Sequence, residues 1–336
     1  MKEFPILKND AGQRLDRFVS KAAPLLPASL AQKYIRLKRI KVNGKGAARD
    51  VRLCEGDAVQ MYVADEFFEA PREDNAYLAV AKPRLEILYE DENVLLADKA
   101  PGVLCHPDGS WTRSTLIANI QAYLYQKGEW DPKGENSFAP ALCNRIDRNT
   151  GGIVIAAKNA EALRILNQKI RDREIEKYYL CCVTGRPSPA SGELRDFLFK
   201  DAKKNQVFLK KTPQPGAVTA VTQYRVLETR GPLSLVECRL VTGRTHQIRA
   251  QMANAGWPLL GDGKYGSERT NRAYHEKGQA LWSWRLRFAF TTDAGPLSGL
   301  NGRTFTVKSV DFAEKYFPGF DFRRIPLTFD GESRMM

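Results

Sequence analysis

The stretch Asn144-Arg145-Ile146-Asp147-Arg148-Asn149-Thr150-Gly151-Gly152 sets one carboxylate between two arginines and leads into the apolar run Ile153-Val154-Ile155-Ala156-Ala157. Neighbouring guanidinium groups favour the ionised form of an acid. Asp147 is therefore poised as a nucleophile or a base rather than as a proton donor. Taken alone, the stretch reads equally as an exposed ion pair. A second polar cluster, Thr242-Gly243-Arg244-Thr245-His246-Gln247-Ile248-Arg249, follows the apolar segment Leu233 to Leu240. Gly243 would permit a tight turn there, and such a basic cluster can bind phosphate or grip a carboxylate through a two-pronged arginine contact. A solvated charged loop is the plain alternative.

Other chemistries are harder to build. None of the six cysteines, Cys54, Cys105, Cys143, Cys181, Cys182 and Cys238, sits in a C-x-x-C pair, so zinc spacing is absent. They read as small buried thiols. His106, His246 and His275 are the only histidines, too few for a histidine-rich metal site. No metal and no cofactor is expected. No apolar run approaches the roughly 18 residues needed to cross a bilayer, so no membrane partner is expected. The start Met1-Lys2-Glu3-Phe4-Pro5 lacks the pattern of a signal peptide, which points to the cytoplasm.

The chain has 336 residues, and its 52 Lys and Arg against 39 Asp and Glu give a net charge of +13. Its length suggests about two domains, and its charge suggests a polyanionic partner. The charge is concentrated. Between Gly12 and Ala64 eleven basic residues face four acids, a surplus of seven in 53 residues. There Leu15, Phe18 and Val19 open a helical pattern that Pro24 and Pro27 interrupt. Ser29 can cap a second helix carrying Leu30, Tyr34 and Leu37. Ile40 to Lys45 reads as a strand ending in an Asn-Gly turn, and Leu53 to Val63 as a turn followed by an alternating strand. Lys33, Arg36, Lys38 and Arg39 fall within two turns of the second helix and can present a cationic face to phosphates. This segment resembles the alpha-L RNA-binding domain through Arg14-Leu15-Asp16, Ile40-Lys41-Val42-Asn43-Gly44 and Glu55-Gly56-Asp57.

The expected organisation is a basic N-terminal domain at 12–64, a linker at 65–85 without regular structure, and a larger domain at 86–326. In the larger domain, Ile87 to Lys99 reads as strand, turn, strand, and Asn159 caps a helix that runs to about Arg173. Strands follow at Tyr178 to Val183, Val218 to Val226 and Leu233 to Leu240. Strands and helices interleaved without regular alternation indicate α+β with a mixed, mostly antiparallel sheet.

Four blocks in order, across roughly residues 86 to 290, resemble the RluA family of pseudouridine synthases. They are Tyr89-Glu90-Asp91 with Lys99-Ala100-Pro101-Gly102-Val103-Leu104-Cys105-His106-Pro107, then Arg145 to Gly152, then Lys177-Tyr178-Tyr179-Leu180, then Thr242 to Arg249. Gly261-Asp262-Gly263-Lys264-Tyr265-Gly266 follows at the family's distance. The resemblance implies an isomerase that flips a uridine out of structured RNA, breaks its nitrogen-to-ribose bond and forms a carbon-to-ribose bond in the same nucleotide. It implies Asp147 as the catalytic carboxylate, Arg249 as its partner, Tyr179 stacked on the uracil, and Arg145 filling the space the uridine leaves. Arg244 and His246 join Lys33, Arg36, Lys38 and Arg39 as expected RNA contacts. Large-subunit ribosomal RNA is the expected substrate, with transfer RNA the alternative.

Departures from the family pattern are Asn144 where a histidine is usual, Gly151 for serine, Ala250-Gln251 after Arg249, and Leu281-Trp282-Ser283 for Leu-His-Ala. Two rival readings have less support. An inactive RNA-binding factor would have no reason to keep Asp147, Arg145, Tyr179 and Arg249. A hydrolase of N-glycosidic bonds needs a second acid to activate water, and the motifs offer none.

Overall fold

The computed structural model describes residues 1–68, 72–108, 114–201, 206–210, 212–321, 324–326 and 329. The N-terminal unit contains β1 (Lys2–Pro5), α1 (Leu15–Ala22), α2 (Ala28–Arg36), β2 (Ile40–Val42), β3 (Lys45–Gly46) and β4 (Ala58–Met61). Its strands form a sheet in the order β1-β4-β2-β3. Leu15, Phe18 and Val19 of α1 pack with Ile35, Ile40, Leu53, Val59 and Met61 in a separate apolar cluster. Burying each large side chain stabilises the unit by about 1.5–3 kcal/mol. Asn43 (φ 51°) and Gly44 (φ 75°) make the turn between β2 and β3, as a two-residue hairpin connection requires.

Two local expectations are corrected. Ser29 is not the cap of α2. The helix starts two residues earlier than that cap implies, at Ala28 after Pro27, with no side-chain cap; the proline ring already fixes the entry angle. Lys38 and Arg39 are not on the helix. Lys38 is left-handed (φ 56°), and Arg39 N–H reaches back to the Tyr34 carbonyl at 2.9 Å. This closing motif ends the helix at Arg36 and turns the chain away.

Residues 65–85 were expected to be irregular, yet 3-10 turns run over Asp65–Phe68 and Arg72–Ala79. Tyr77 is 6% exposed and packs edge-on against Trp130 with ring centroids 5.1 Å apart. Its aromatic partners, Tyr125 and Trp130, lie 48 and 53 residues further on, so no local signal announces this order.

The larger unit contains β5 (Glu86–Glu90), β6 (Val94–Lys99), α3 (Leu116–Gln126), β7 (Ala141–Leu142), β8 (Gly151–Ala157), α4 (Ala160–Arg171) and β9 (Ile175–Thr184). It continues with β10 (Ser191–Asp201), β11 (Gln206–Lys210), β12 (Val218–Arg230), β13 (Leu233–Leu240), α5 (Gln247–Asn254), α6 (Glu268–Ala273), β14 (Leu281–Phe288), β15 (Thr304–Thr306) and α7 (Asp311–Tyr316). The sheet order is β11-β10-β12-β13-β9-β14-β8-β6-β5, with β7 on β8 and β15 on β14. Every described pairing is antiparallel except β14 with β8. The fold is thus α+β with a mixed, mostly antiparallel sheet. Asn159 caps α4 as expected, accepting from Ala162 N–H.

Alternation along β9 divides the core in two. Tyr179, Cys181 and Val183 face α3 and α5, while Tyr178, Leu180 and Cys182 face α7. The parallel contact explains the glycine pair. A Cβ on Gly151 would lie 2.5 Å from the Trp282 ring, and one on Gly152 (φ 110°) would lie 2.2 Å from the Ser283 carbonyl oxygen. Two departures from the family pattern, Gly151 and Trp282, therefore occupy one another's space.

The two units meet through polar contacts. Asp10 is fully buried and accepts from Asn136 at 2.8 Å and from the Ser137 hydroxyl. Gln13 donates to Ser137 at 2.8 Å, and Arg164 of α4 donates to the Ala11 carbonyl at 3.0 Å.

Candidate active site

Asp147 sits on the loop between β7 and β8 with its side chain 27% exposed, open enough to meet a ligand. The loop is fastened from below. Ile146 is buried in the core, Asn144 accepts the Ile155 N–H at 2.8 Å, and the Thr150 hydroxyl accepts from Gln279 at 3.1 Å. Asn144, one of the departures, thus ties the start of the loop to β8. Lys99, only 1% exposed, donates to the carbonyls of Ala100, Val103 and Arg148 at 3.0, 2.8 and 2.9 Å. Burial pushes its pKa down to about 8, with Cys105, Asp147 and Asp98 pulling the other way. At neutral pH the ammonium keeps all three donors and stitches residues 99–103 to the Asp147 loop.

Arg249 lies in the first turn of α5 and is 6% exposed. Its Nη1 donates to Asp147 Oδ2 at 2.7 Å. Its Nε and Nη2 grip both oxygens of Asp262 at 2.7 and 2.9 Å. Asp262 is fully buried and also accepts the N–H groups of Lys264 and Tyr265. Burial opposes the charge on each partner, but their mutual contact prevails. The Arg249 pKa is raised and that of Asp262 is lowered. A two-pronged contact of this kind fixes the guanidinium plane, so Asp262 aims the remaining nitrogen at Asp147.

Tyr179 of β9 is 6% exposed. Burial raises its phenol to about 12, against a hydrogen bond with Ser283, while the charge of Asp147 adds to the rise. The phenol stays protonated across the working pH range. Arg145 is exposed and close enough to His106 to depress its pKa, second to burial. Arg244 is exposed, its Nε donating to the Thr219 carbonyl at 3.2 Å.

The sequence-predicted residues separate into two places. Asp147, Tyr179, Arg249, Arg145 and His246 gather around the Asp147 loop, whereas Lys33, Arg36, Lys38 and Arg39 are exposed on the N-terminal unit. His246 was grouped with the RNA contacts, yet its side chain is only 9% exposed and its Nε2 lies 3.8 Å from Asp147 Oδ2. The expected tight turn at Gly243 also falls elsewhere, since the left-handed residue is His246 (φ 53°). Sequence reasoning assigned no role to Lys99, Asp262 or Tyr265. All three lie in blocks quoted for the family resemblance, which was the one available signal. Among the described residues no group of three or more His, Cys, Asp or Glu could hold a metal ion, and no helix is long and apolar enough to cross a membrane.

Comparison with known proteins bears on this geometry. A family model described as RNA pseudouridylate synthase matches residues 93–254. An uncharacterized RNA pseudouridine synthase of Mycoplasma genitalium is 32% identical over 291 residues, covering 85% of this chain and 88% of that protein. The ribosomal large subunit pseudouridine synthase C of Escherichia coli is 30% identical over 289 residues, covering 84% and 85%. Among solved structures, human RNA pseudouridylate synthase domain containing 4 superposes with a TM-score of 0.53 at 22% identity, covering 71% of this chain and 94% of that one. That likeness speaks for the fold.

Proposed function

This chain belongs to the RNA pseudouridine synthase family, whose members are isomerases, and we propose that it converts uridines of large-subunit ribosomal RNA with Asp147 as the catalytic carboxylate. The observation that carries the reading is the Asp262–Arg249–Asp147 chain. A buried guanidinium, itself clamped, supplies a positive charge and a hydrogen bond to the one partly open carboxylate of the loop. The target nucleotide leaves the helical stack, and the carboxylate acts on its ribose as the bond from C1′ to N1 breaks. The base turns, C1′ bonds to C5, the proton on C5 departs to solvent and N1 takes up a proton. The reaction needs no electrons, water or group donor. Tyr179, buried near the charge of Asp147, stacks on the uracil in this reading, and Arg145, exposed on the loop, fills the gap in the RNA.

The N-terminal unit, whose sheet begins at Lys2, acts as an alpha-L RNA-binding domain, with the catalytic domain at 86–326. Lys33, Arg36, Lys38 and Arg39 meet phosphates there, and Arg244 meets them near the site. Ribosomal RNA is favoured over transfer RNA by the substrate named for the Escherichia coli relative, and the cytoplasm is where that substrate is made in bacteria. Mapping pseudouridines in cells with and without this chain tests the substrate. Loss of one or more sites from large-subunit RNA is expected, and an unchanged ribosomal map with sites lost from transfer RNA would replace it.

A further inference from the structure

His246 is largely buried against Asp147, its side chain 9% exposed. It adopts a left-handed backbone (φ 53°) directly before α5, a conformation uncommon for residues other than glycine. Its ring is held by Tyr265, whose oxygen accepts the Val207 N–H at 2.9 Å. That phenol therefore has its own hydrogen free for His246 Nδ1, 3.0 Å away. An accepting Nδ1 leaves the ring proton on Nε2. Nε2 faces Asp147 Oδ2 at 3.8 Å, the same oxygen that Arg249 holds at 2.7 Å. The separation is under one ångström beyond hydrogen-bond reach. The charged groups around the ring are Asp147, Arg249, Lys264 and Asp262. Burial first, then Arg249 and Lys264, lower the pKa of His246 against the pull of the two acids, which favours the neutral ring.

We propose that His246 is a positioning residue for Asp147. Its Nε2–H closes onto Oδ2 when the ribose engages, so that Arg249 and His246 together hold one oxygen and leave Oδ1 to react, with Tyr265 fixing the tautomer. The inference rests on the reading of Asp147 as the catalytic carboxylate. Through Val207 of β11 it also ties the edge of the sheet to the site, because Val207 packs in one cluster with Leu198 of β10 and Ala250 of α5.

The test is steady-state kinetics on RNA transcribed with tritium at uridine C5, whose release reports the lost C5 proton. Large-subunit ribosomal RNA is used in one arm and transfer RNA in the other. His246→Ala should lower kcat about 30-fold with KM within about twofold, less than the ~100-fold typical of a donor aimed straight at transition-state charge. His246→Gln, whose amide nitrogen reaches about as far as Nε2, should restore kcat to within about threefold of wild type. Tyr265→Phe should fall between them, as the tautomer is released. A raised KM with unchanged kcat would make His246 an RNA contact and overturn the proposal. Equal losses in His246→Ala and His246→Gln, tracking a fall in melting temperature, would reduce it to packing. If His246→Ala does not fold, the other two variants decide. Asp147→Asn in the same assay separates the two ideas. An active Asp147→Asn enzyme removes the parent reading, whereas an inactive one beside a normal His246→Ala removes this inference alone.

Discussion

The N-terminal unit and the Asp147 loop use the same residue types in opposite ways. Around α2 the apolar side chains turn inward, and Lys33, Arg36, Lys38 and Arg39 stand in solvent. Around the loop Arg145 and Arg148 stay exposed, but the groups that hold Asp147 in place turn inward. Arg249, Asp262 and Lys99 are each at most 6% exposed and saturate one another or backbone carbonyls. An exposed charge is cheap, and salt screens it within roughly 8–10 Å. A buried charge costs several kcal/mol unless its partners are placed accurately. The comparison teaches that the first region can recruit a polyanion but positions little, whereas the second positions atoms and tolerates little change.

The sharpest way to break the contrast is at Asp147. We predict that Asp147→Asn keeps RNA affinity near wild type and lowers kcat by at least about 10³-fold, since it removes the carboxylate proposed to act on the ribose. Tritium release and a filter-binding titration on the same RNA check both halves, and near-normal turnover would sink the assignment.

Arg249→Met should come next. It strands Asp262 without its cation in a fully buried position. Breaking a buried pair on one side costs about 3–5 kcal/mol, so the melting temperature should drop together with an approximately hundredfold loss of kcat. Asp262→Asn, which touches Arg249 but not Asp147, should lose less activity than Arg249→Met. The reverse order would mean that Asp262 does more than aim the guanidinium.

A smaller effect is expected on the exposed side. Replacing Lys33, Arg36, Lys38 and Arg39 together with Gln in the full chain should weaken RNA binding about tenfold at moderate salt and leave kcat unchanged. The slope of log affinity against log salt should become shallower by up to about 3, if all four meet phosphates of single strands. The full chain is the right vehicle because removing residues 1–64 would uncover Asn136 and Ser137, which Asp10 holds. Equal slopes for the variant and wild type would show that this surface does not touch the RNA.

The smallest effect should come from a chelator. The isomerisation consumes no electrons, water or donor, so activity should stay within error provided the RNA remains folded. Loss of activity restored by zinc alone would contradict the chemistry proposed here.

Much of this contrast could be read without coordinates, and the remainder has identifiable causes. Strands β6, β9 and β13 were legible because apolar content and alternation are local. The Asn43-Gly44 turn and the Asn159 cap were legible because a few adjacent residues determine them. The end of α2 was misread because the left-handed Lys38 carries no glycine to announce it. The order at Tyr77 was missed because Trp130 supplies it from far along the chain.

For the site, the sequence by itself determined which groups could do chemistry. It gave one acid between two arginines, a basic cluster a hundred residues later, and a charge surplus gathered at the N-terminus. Only the tertiary structure decided which of those groups face one another. Arg249 meets Asp147 across 102 positions of chain, Asp262 orients that arginine, and His246 turns inward instead of joining the basic surface. Composition and spacing act over a few residues, whereas the direction of a buried side chain is set by the sheet that carries its partner. The same residue type can therefore stand in solvent at Arg36 and clamp two acids at Arg249.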